Sequence, residues 1–419
     1  MDRWLIHGGR PLSGKIRVQG SKNAVLPVIA ASLLCPNITT INACPHISDV
    51  DAAAEILRCL GCRVSRNDHT LTIDTVRTED NTVPAELTHR MRSSVLFLGP
   101  LLARYGEARV CLPGGCELGP RPIDLHLRAF RALGAEIREE GECIVCRAKS
   151  LRGTEIALPL PSVGATENIL IAACAARGET VIYNAAREPE IVTLQRYLRS
   201  LGADIIGAGT SVIRIRGFAP RERGELVVPP DRIAAATYLC CALCAGGEIT
   251  LENAPCEELL PLMELLTEMG CEIRHSGAAL SLAVPPALRS PGAAVTRPYP
   301  GFPTDAMPLL MAGCLRCRGS VVFVENIFSS RFRHGEEMRR FGANVVLRGP
   351  MAILEGRSDL HGATVTSPDL RGGAALVAAA LGIPEPCTVL DPGHIDRGYE
   401  DLDGTLRSLG ADVVIQKDQ

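Results

Sequence analysis

The sequence predicts an α/β protein of two domains, each built from three copies of one folding unit. Three observations lead to this class: one short phrase recurs six times, a second landmark keeps the same spacing, and the chain is long. It has 419 residues, and at roughly 150 residues per domain that length suggests two or three domains. Six units divide naturally into three plus three, which favours two domains.

The first landmark is a large apolar residue followed by Gly, then Ala or Cys, any residue, and Ile or Val. The glycines of the six copies are Gly61, Gly134, Gly202, Gly270, Gly342 and Gly410. They are spaced by 73, 68, 68, 72 and 68 residues, so the unit is about 70 residues long. A glycine directly after an apolar segment is typical of a helix end, and the β-branched residue after it indicates a strand.

The second landmark is a short β-rich run that closes on a polar residue or a turn. These runs occupy residues 39–42, 110–112, 180–184, 249–253, 321–326 and 388–391. Between the landmarks lie Ala- and Leu-rich segments at helical spacing, for example 168–176 and 233–244. Each unit is therefore predicted to contain more than one strand and two helices.

The domain boundary is predicted at Pro229 and Pro230, where two prolines interrupt the pattern after the third unit. About 20 residues precede the first unit. Turn signals at Gly8-Gly9 and Ser13-Gly14 predict a strand hairpin there, which must pack against another part of the protein. Two similar α/β domains leave a cleft between them, and such clefts commonly bind small molecules.

Composition excludes several classes of function. The chain has 44 Lys plus Arg against 47 Asp plus Glu, a net charge of −3, so nucleic acid and anionic membranes are not expected as partners. The first residues lack a basic segment followed by a long apolar run, and no apolar run reaches membrane-spanning length. We therefore expect a cytoplasmic protein whose 17 cysteines are reduced thiols.

Two motifs indicate less than they first suggest. Residues 9–15 imitate a phosphate-binding loop, but Ile16 stands where Ser or Thr should contact magnesium, and a strand follows instead of a helix. A turn is the better interpretation. Four Cys-x-x-Cys pairs, at Cys59/Cys62, Cys143/Cys146, Cys241/Cys244 and Cys314/Cys317, lie in apolar segments or at helix ends without histidines at zinc spacing. They are predicted to be packing cysteines, and no metal is expected.

Several residues are candidates for chemistry, although each has an ordinary alternative. Cys116 lies in a Gly- and Pro-rich loop at 112–122, where Arg121 could lower the thiol pKa; a free surface thiol is equally compatible. Lys22 follows a possible helix cap, where backbone N–H groups suit an anion, but many helices begin with Lys. Asp305 precedes a helix-like run and could be a simple N-cap. Arginines at turns, such as Arg92, could be solvated.

Taken together, these phrases are more specific than any one of them. They include the stretches 20–24, 49–51, 113–116, 121–126, 162–166, 184–190, 230–232, 302–305, 327–328, 331–332, 369–371 and 394–400. In this combination and order, across some 400 residues, the chain resembles the enolpyruvyl transferases, and in particular those that act on UDP-N-acetylglucosamine.

The resemblance implies a two-domain inside-out α/β barrel like that of EPSP synthase, with three βαβαββ-type units in each domain. The first domain would span 22–229, the second 1–21 plus 230–419, and the active site would lie in the cleft between them. The implied reaction transfers the enolpyruvyl group of phosphoenolpyruvate to the 3′-hydroxyl of UDP-N-acetylglucosamine and releases phosphate, the first committed step of peptidoglycan synthesis. No metal or organic cofactor is implied, and a monomer is favoured.

The resemblance also implies roles for individual residues. Cys116 would be the acid, the site of covalent modification and the target of fosfomycin, and Asp305 the base, with Lys22 and Arg397 also catalytic. Phosphoenolpyruvate, which carries a phosphate and a carboxylate, would be bound by Lys22, Asn23, Arg92, Arg121, Arg371 and Arg397. UDP-N-acetylglucosamine would be bound by Asn23, Arg92, Arg121, Pro122, Ile123, Asp124, Leu125, Pro161, Ser162, Val163, Gly164, Asp305 and Ile327.

The chain departs from the family pattern at three places. Leu160 stands where many relatives have Lys, Ala234 where some have Glu, and Met307-Pro308 follows the predicted base where relatives commonly have no proline. Two alternatives stay open, of which the departures at Leu160 and Met307-Pro308 motivate only the second. One is an enolpyruvyl transferase that uses shikimate 3-phosphate, and the other is a catalytically weakened duplicate that binds the UDP-sugar.

Overall fold

The computed structural model describes residues 2–78, 80–111 and 123–417. This part of the chain divides into two compact units. We call residues 20–229 the N-terminal unit and residues 2–19 with 230–417 the C-terminal unit. No helix within the described residues has the length and apolar character needed to cross a bilayer.

Strands and helices are interspersed along the whole described chain. The first two strands are β1 (Arg3–His7) and β2 (Leu12–Arg17). The N-terminal unit follows with α1 (Lys22–Ala31), β3 (Ile38–Asn42), α2 (Ser48–Cys59), β4 (Arg63–Asn67), β5 (Thr70–Asp74), β6 (Thr82–Val83), α3 (Ala85–Arg90), α4 (Leu98–Tyr105), β7 (Glu107–Cys111), α5 (Asp124–Ala132), β8 (Glu136–Glu140), β9 (Cys143–Arg147), β10 (Glu155–Ala157), α6 (Val163–Ala173), β11 (Thr180–Tyr183), α7 (Pro189–Ser200), β12 (Ala203–Ile206), β13 (Val212–Phe218) and β14 (Arg223–Val227). The C-terminal unit continues with α8 (Arg232–Ala245), β15 (Gly247–Glu252), α9 (Leu260–Glu268), β16 (Glu272–Ser276), β17 (Ala279–Val284), β18 (Ala293–Val295), α10 (Met307–Gly313), β19 (Ser320–Val324), α11 (Arg333–Met338), β20 (Asn344–Arg348), β21 (Met351–Glu355), β22 (Thr364–Thr366), α12 (Leu370–Leu381), β23 (Cys387–Leu390), α13 (Leu402–Ser408) and β24 (Asp412–Gln416).

These strands form six four-stranded sheets with one common pattern. In the N-terminal unit the strand orders are β14-β3-β5-β4, β6-β7-β9-β8 and β10-β11-β13-β12. In the C-terminal unit they are β2-β15-β17-β16, β18-β19-β21-β20 and β22-β23-β1-β24. The first two strands of each order are parallel, and the other neighbours are antiparallel. The sixfold repeat predicted from the sequence is confirmed.

Buried helices form the centre of each unit. In the C-terminal unit α8, α10 and α12 contact one another, and nearly every residue of the three is buried. Their sequences are apolar on all faces, as a helix without a solvent side requires. The close approach of α8 and α10 requires glycine at position 313, where a Cβ would lie only 2.3 Å from a methyl carbon of Leu243. Strands such as β3 alternate buried and less buried residues, so one sheet face packs inward. The inside-out α/β class is confirmed.

The six glycines of the first landmark all have positive φ, between +85° and +106°. This is the left-handed region, which glycine enters without the cost that a Cβ brings. Each follows the last turn of a helix and leads into β4, β8, β12, β16, β20 or β24. The helix-to-strand connection predicted at these positions is confirmed.

The predicted N-terminal hairpin is wrong. β1 lies between β23 and β24, and β2 pairs in parallel with β15, so the two strands belong to different sheets. Each completes a sheet of the C-terminal unit that would otherwise have three strands. Long-range pairing of this kind leaves no local signal, and the turn residues between the strands fit either arrangement. The strand at 12–17 also excludes the phosphate-binding loop.

The cysteines follow the prediction with two exceptions, the first of which is Cys59, which is exposed and is not the packing cysteine that was expected. Most of the others that the structure describes are buried thiols, and burial raises the pKa of Cys62 and Cys146 to about 12. Cys111 and Cys143, however, form a disulfide, so the expectation that every cysteine is reduced is wrong. The two residues are direct cross-strand partners of β7 and β9, a proximity that sequence spacing does not reveal.

Candidate active site

The start of α1 carries the first pair of predicted site residues, Lys22 and Asn23. Ser21 caps the helix, since its Oγ accepts a hydrogen bond from the Ala24 backbone N–H at 3.3 Å. The capping prediction is therefore confirmed. Lys22 is only 7% exposed, and its Nζ lies 2.7 Å from an oxygen of buried Asp49. A buried ammonium needs such a partner, and sequence reasoning had assigned no role to this aspartate.

The predicted UDP-sugar segments of the N-terminal unit lie at two helix starts. Asp124 and Leu125 begin α5 directly after Ile123. Ser162 caps α6, its Oγ accepting from the Ala165 N–H at 3.4 Å, and Pro161 precedes it. The first N–H groups of a helix, here those of Val163 and Gly164, lack partners within the helix and suit an anion.

A buried histidine joins these two helix starts. His126, in the first turn of α5, lies against Gly164, where a Cβ would be 3.3 Å from the imidazole ring. Asn168 accepts from the Gly99 N–H at 3.0 Å and donates to the Val95 carbonyl at 2.9 Å. Its Nδ2 therefore also donates to His126 Nδ1, at 2.8 Å. This leaves Nδ1 unprotonated and places the proton of the neutral ring on Nε2.

Burial lowers the pKa of His126 to about 4, although Asp124 opposes the shift. Between pH 6.5 and 4 the unfolded chain therefore binds a proton that the folded protein excludes, so stability falls as the pH falls through this range.

His126→Asn keeps an acceptor near the Nδ1 position but cannot be protonated. We expect its free energy of unfolding, from urea denaturation between pH 7 and pH 4.5, to fall less steeply than that of the wild type. The whole pKa shift of His126 corresponds to about 3 kcal/mol of unfolding free energy. Parallel plots of unfolding free energy against pH for the two proteins would contradict this expectation.

A groove of about 290 Å³ lies beside this region of the N-terminal unit. It is lined by Leu125 and Arg128 of α5 and by residues 155–159, which include β10. Leu160, one of the departures noted in the sequence, directly follows this lining segment and is 55% exposed. An apolar side chain there leaves that position without a cation.

In the C-terminal unit, the predicted base Asp305 is held between two buried arginines. It lies in the 3₁₀ helix Thr304–Ala306 and is 27% exposed. Arg331, which is 1% exposed, donates from Nη2 to one carboxylate oxygen, and Arg371, 3% exposed, donates from Nε to the other at 3.4 Å. Two guanidinium groups favour the ionised carboxylate and fix its orientation. Sequence reasoning had not assigned Arg331 to the site, although it lies in one of the matching phrases.

Arg371 is anchored from several sides. Asp369 caps α12 by accepting from the backbone N–H groups of Arg371 and Gly372, each at 3.0 Å. The Tyr399 ring lies 5.2 Å from the guanidinium carbon. Burial opposes the charge on Arg371, but Tyr399, Asp305 and Asp231 outweigh burial and raise its pKa. One nitrogen, Nη1, is buried and has no hydrogen-bond partner among the described residues, so a ligand oxygen could satisfy it.

The departure at Met307-Pro308 does not displace the base. Pro308 lies in the first turn of α10, where a proline replaces an N–H group that has no helical partner. Asp305 precedes this turn and keeps both arginine contacts.

The remaining predicted residues are placed as follows. Ile327 lies in the turn after β19 and is 40% exposed, and Arg397 ends the 3₁₀ helix Pro392–Arg397. The segment that follows Arg397 is held by Gln19, which donates to the Gly398 carbonyl at 3.1 Å and accepts from the Glu400 N–H at 3.0 Å. Arg92 begins the 3₁₀ helix Arg92–Phe97. Cys116, Arg121, Pro122 and the side chain of Arg92 lie outside the part of the chain that the structure describes.

Comparison with known proteins identifies the class. The family model described as EPSP synthase (3-phosphoshikimate 1-carboxyvinyltransferase) matches residues 6–406. Since this match spans nearly the whole chain, the protein belongs to that family of enolpyruvyl transferases, and the resemblance noted from the sequence is confirmed.

Individual relatives are more specific. UDP-N-acetylglucosamine 1-carboxyvinyltransferase 2 of Caldanaerobacter subterraneus subsp. tengcongensis is 44% identical over 414 residues, covering 99% of each chain. UDP-N-acetylglucosamine 1-carboxyvinyltransferase 1 of Symbiobacterium thermophilum is 45% identical, covering 98% of this chain and 95% of its own. Among solved structures, the enolpyruvyl transferase NikO from Streptomyces tendae has a TM-score of 0.90 and 25% identity, covering 100% of this chain and 99% of its own.

Proposed function

We propose that this protein transfers the enolpyruvyl group of phosphoenolpyruvate to the 3′-hydroxyl of UDP-N-acetylglucosamine and releases phosphate. The observation that carries the proposal is full-length similarity, above 40% identity, to relatives named for this activity. The product would enter peptidoglycan synthesis in the cytoplasm, and phosphoenolpyruvate and the UDP-sugar would be the only partners required.

The arrangement of the C-terminal unit supports the role of Asp305 in this proposal. Addition removes a proton from the attacking sugar hydroxyl and delivers another to the methylene carbon of phosphoenolpyruvate. Asp305 is oriented by two arginines and partly exposed, as a base at the hydroxyl must be. Cys116 would donate the proton to carbon. The resulting tetrahedral intermediate would then lose phosphate and one proton of its new methyl group, which restores the double bond. Asn23 would orient that intermediate.

Charge accounts for the remaining assignments. Phosphoenolpyruvate is a small molecule with two anionic groups, so several cations must act on it together. Arg371, whose buried Nη1 has no hydrogen-bond partner in the described part of the chain, and Lys22, buried beside Asp49, have the required charge. Arg92, Arg121 and Arg397 complete the proposed set. The N–H groups at the start of α6 would bind the diphosphate of the UDP-sugar. The proposal thus assigns residues of both units to one reaction.

The decisive experiment measures phosphate release from phosphoenolpyruvate with each acceptor in turn. We expect release with UDP-N-acetylglucosamine and none with shikimate 3-phosphate, because the 42–45% identical relatives carry the former in their name. Release with shikimate 3-phosphate alone would refute the assignment. Calorimetric binding of UDP-N-acetylglucosamine without turnover would instead indicate the weakened duplicate, for which exposed Leu160 is the structural argument.

A further inference from the structure

Glu325 is a buried carboxylate to which the roles above give no function. It directly follows β19 and is only 3% exposed. Its Oε1 accepts from the backbone N–H groups of Ile327, at 2.7 Å, and Phe328, at 3.0 Å, and from the Thr296 hydroxyl at 3.0 Å. Its Oε2 accepts from the Thr304 hydroxyl at 2.8 Å. Four donors hold this carboxylate in one orientation.

The contact with Thr304 continues to the proposed base. Thr304 Oγ accepts from Arg331 Nε at 3.1 Å, and Nη2 of the same guanidinium donates to Asp305. A guanidinium can only donate and an ionised carboxylate can only accept, so the Thr304 hydroxyl must donate to Glu325. Every hydrogen bond from Glu325 to Asp305 therefore has a defined direction.

The geometry explains how such a chain orients the base. A guanidinium is planar, so fixing its Nε edge also fixes the direction of its Nη2 group. Thr304 holds the Nε edge, and Glu325 holds the Thr304 hydroxyl in the rotamer that leaves a lone pair toward Arg331. Through its Oε1, Glu325 also shapes the turn that carries Ile327, a residue proposed to bind the UDP-sugar.

We propose that Glu325 is a positioning residue for this reaction, acting through Thr304 and Arg331 on the carboxylate of Asp305 and through its own turn on Ile327. The inference rests on the proposed function, because it concerns the base of that reaction. Glu325 itself touches no substrate in this arrangement.

Two isosteric variants break the same link from opposite ends. In Glu325→Gln the oxygen facing the turn can remain an acceptor, whereas the amide nitrogen cannot accept from the Thr304 hydroxyl. Thr304→Val removes that hydroxyl. We expect each variant to lower kcat about ten- to a hundredfold while KM for each substrate changes less than about threefold, since the base is misaligned and binding groups remain. Thr304→Ser restores the hydroxyl and should restore kcat.

The double variant provides a sharper readout. If both residues act through one link, Glu325→Gln combined with Thr304→Val should lower kcat no further than either change alone.

A matched control is Thr75→Val in the N-terminal unit. Thr75 is fully buried, and its hydroxyl bonds only to the Ser32–Asn37 segment among the described residues. Thr75→Val should lower the melting temperature and leave kcat unchanged.

The outcomes separate this inference from the proposed function. An active wild type with wild-type kcat in both Glu325→Gln and Thr304→Val would overturn the positioning role alone, as would multiplicative losses in the double variant. A wild type that releases no phosphate with UDP-N-acetylglucosamine would overturn the proposed function, and the positioning role with it. Should Thr304→Val fail to fold, Glu325→Gln, which can keep three of the four hydrogen bonds, decides the question through its kcat.

Discussion

Asp305→Asn is expected to lower kcat by about 10³-fold, the scale of losing a positioned general base. The amide has nearly the same shape but cannot take the proton from the sugar hydroxyl. It also removes the carboxylate charge that pairs with Arg331 and Arg371, both nearly fully buried. We therefore expect a lower melting temperature as well, because an unpaired buried charge is costly. Phosphate release with saturating substrates measures the first effect, and thermal unfolding the second.

A suitable control is Asp359→Asn. This carboxylate pairs with Arg357 on the protein surface, and the Arg357 hydrogen bond holds its pKa at about 2. The control removes an arginine-bound carboxylate of the same unit but should leave kcat within error of the wild type. An Asp305→Asn protein that folds and turns over within tenfold of the wild-type rate would show that another group is the base.

Cys116→Ala is expected to abolish turnover almost completely, since alanine cannot donate a proton to the methylene carbon. Cys116→Asp should retain part of the activity, because a carboxylic acid can still donate one. The same thiol should be alkylated by the epoxide fosfomycin. Intact mass should therefore show one adduct on the wild type and none on Cys116→Ala.

Cys59 provides the control for this experiment, since it is an exposed thiol in the same unit. Cys59→Ala should keep both the turnover and the adduct. Full activity in Cys116→Ala, or an adduct that survives this change, would remove Cys116 from the mechanism.

Local features of the fold were predictable because local residues determine them. A glycine that must adopt positive φ between a helix and a strand marks one helix end in each repeat, and its sixfold recurrence revealed the repeat. The predicted hairpin failed for the opposite reason. β1 and β2 each complete a sheet with strands more than 200 residues away, and a strand edge has no sequence signal for its distant partner. The disulfide between Cys111 and Cys143 was missed because their closeness follows from strand register.

The site divides in the same way. Lys22 could be placed at a capped helix start because Ser21 is its immediate neighbour. The ion pair between Lys22 and Asp49 could not be predicted, since the two residues lie on different helices. Arg331 and Glu325 were likewise visible only as parts of a matching phrase or an ordinary strand end. The roles proposed for them depend on hydrogen bonds that packing creates.

By itself, the sequence determined the α/β class, the sixfold repeat, the family and the identity of the candidate residues. The class and the repeat follow from residue type at short range and from a recurring pattern, whereas the family and the candidate residues follow from the resemblance of many ordered phrases. Only the tertiary structure decided which charges are buried, which acid meets which arginine, and where the first two strands pair. These contacts join segments far apart in the chain, and burial makes each of them strong because no water competes for the same hydrogen bonds.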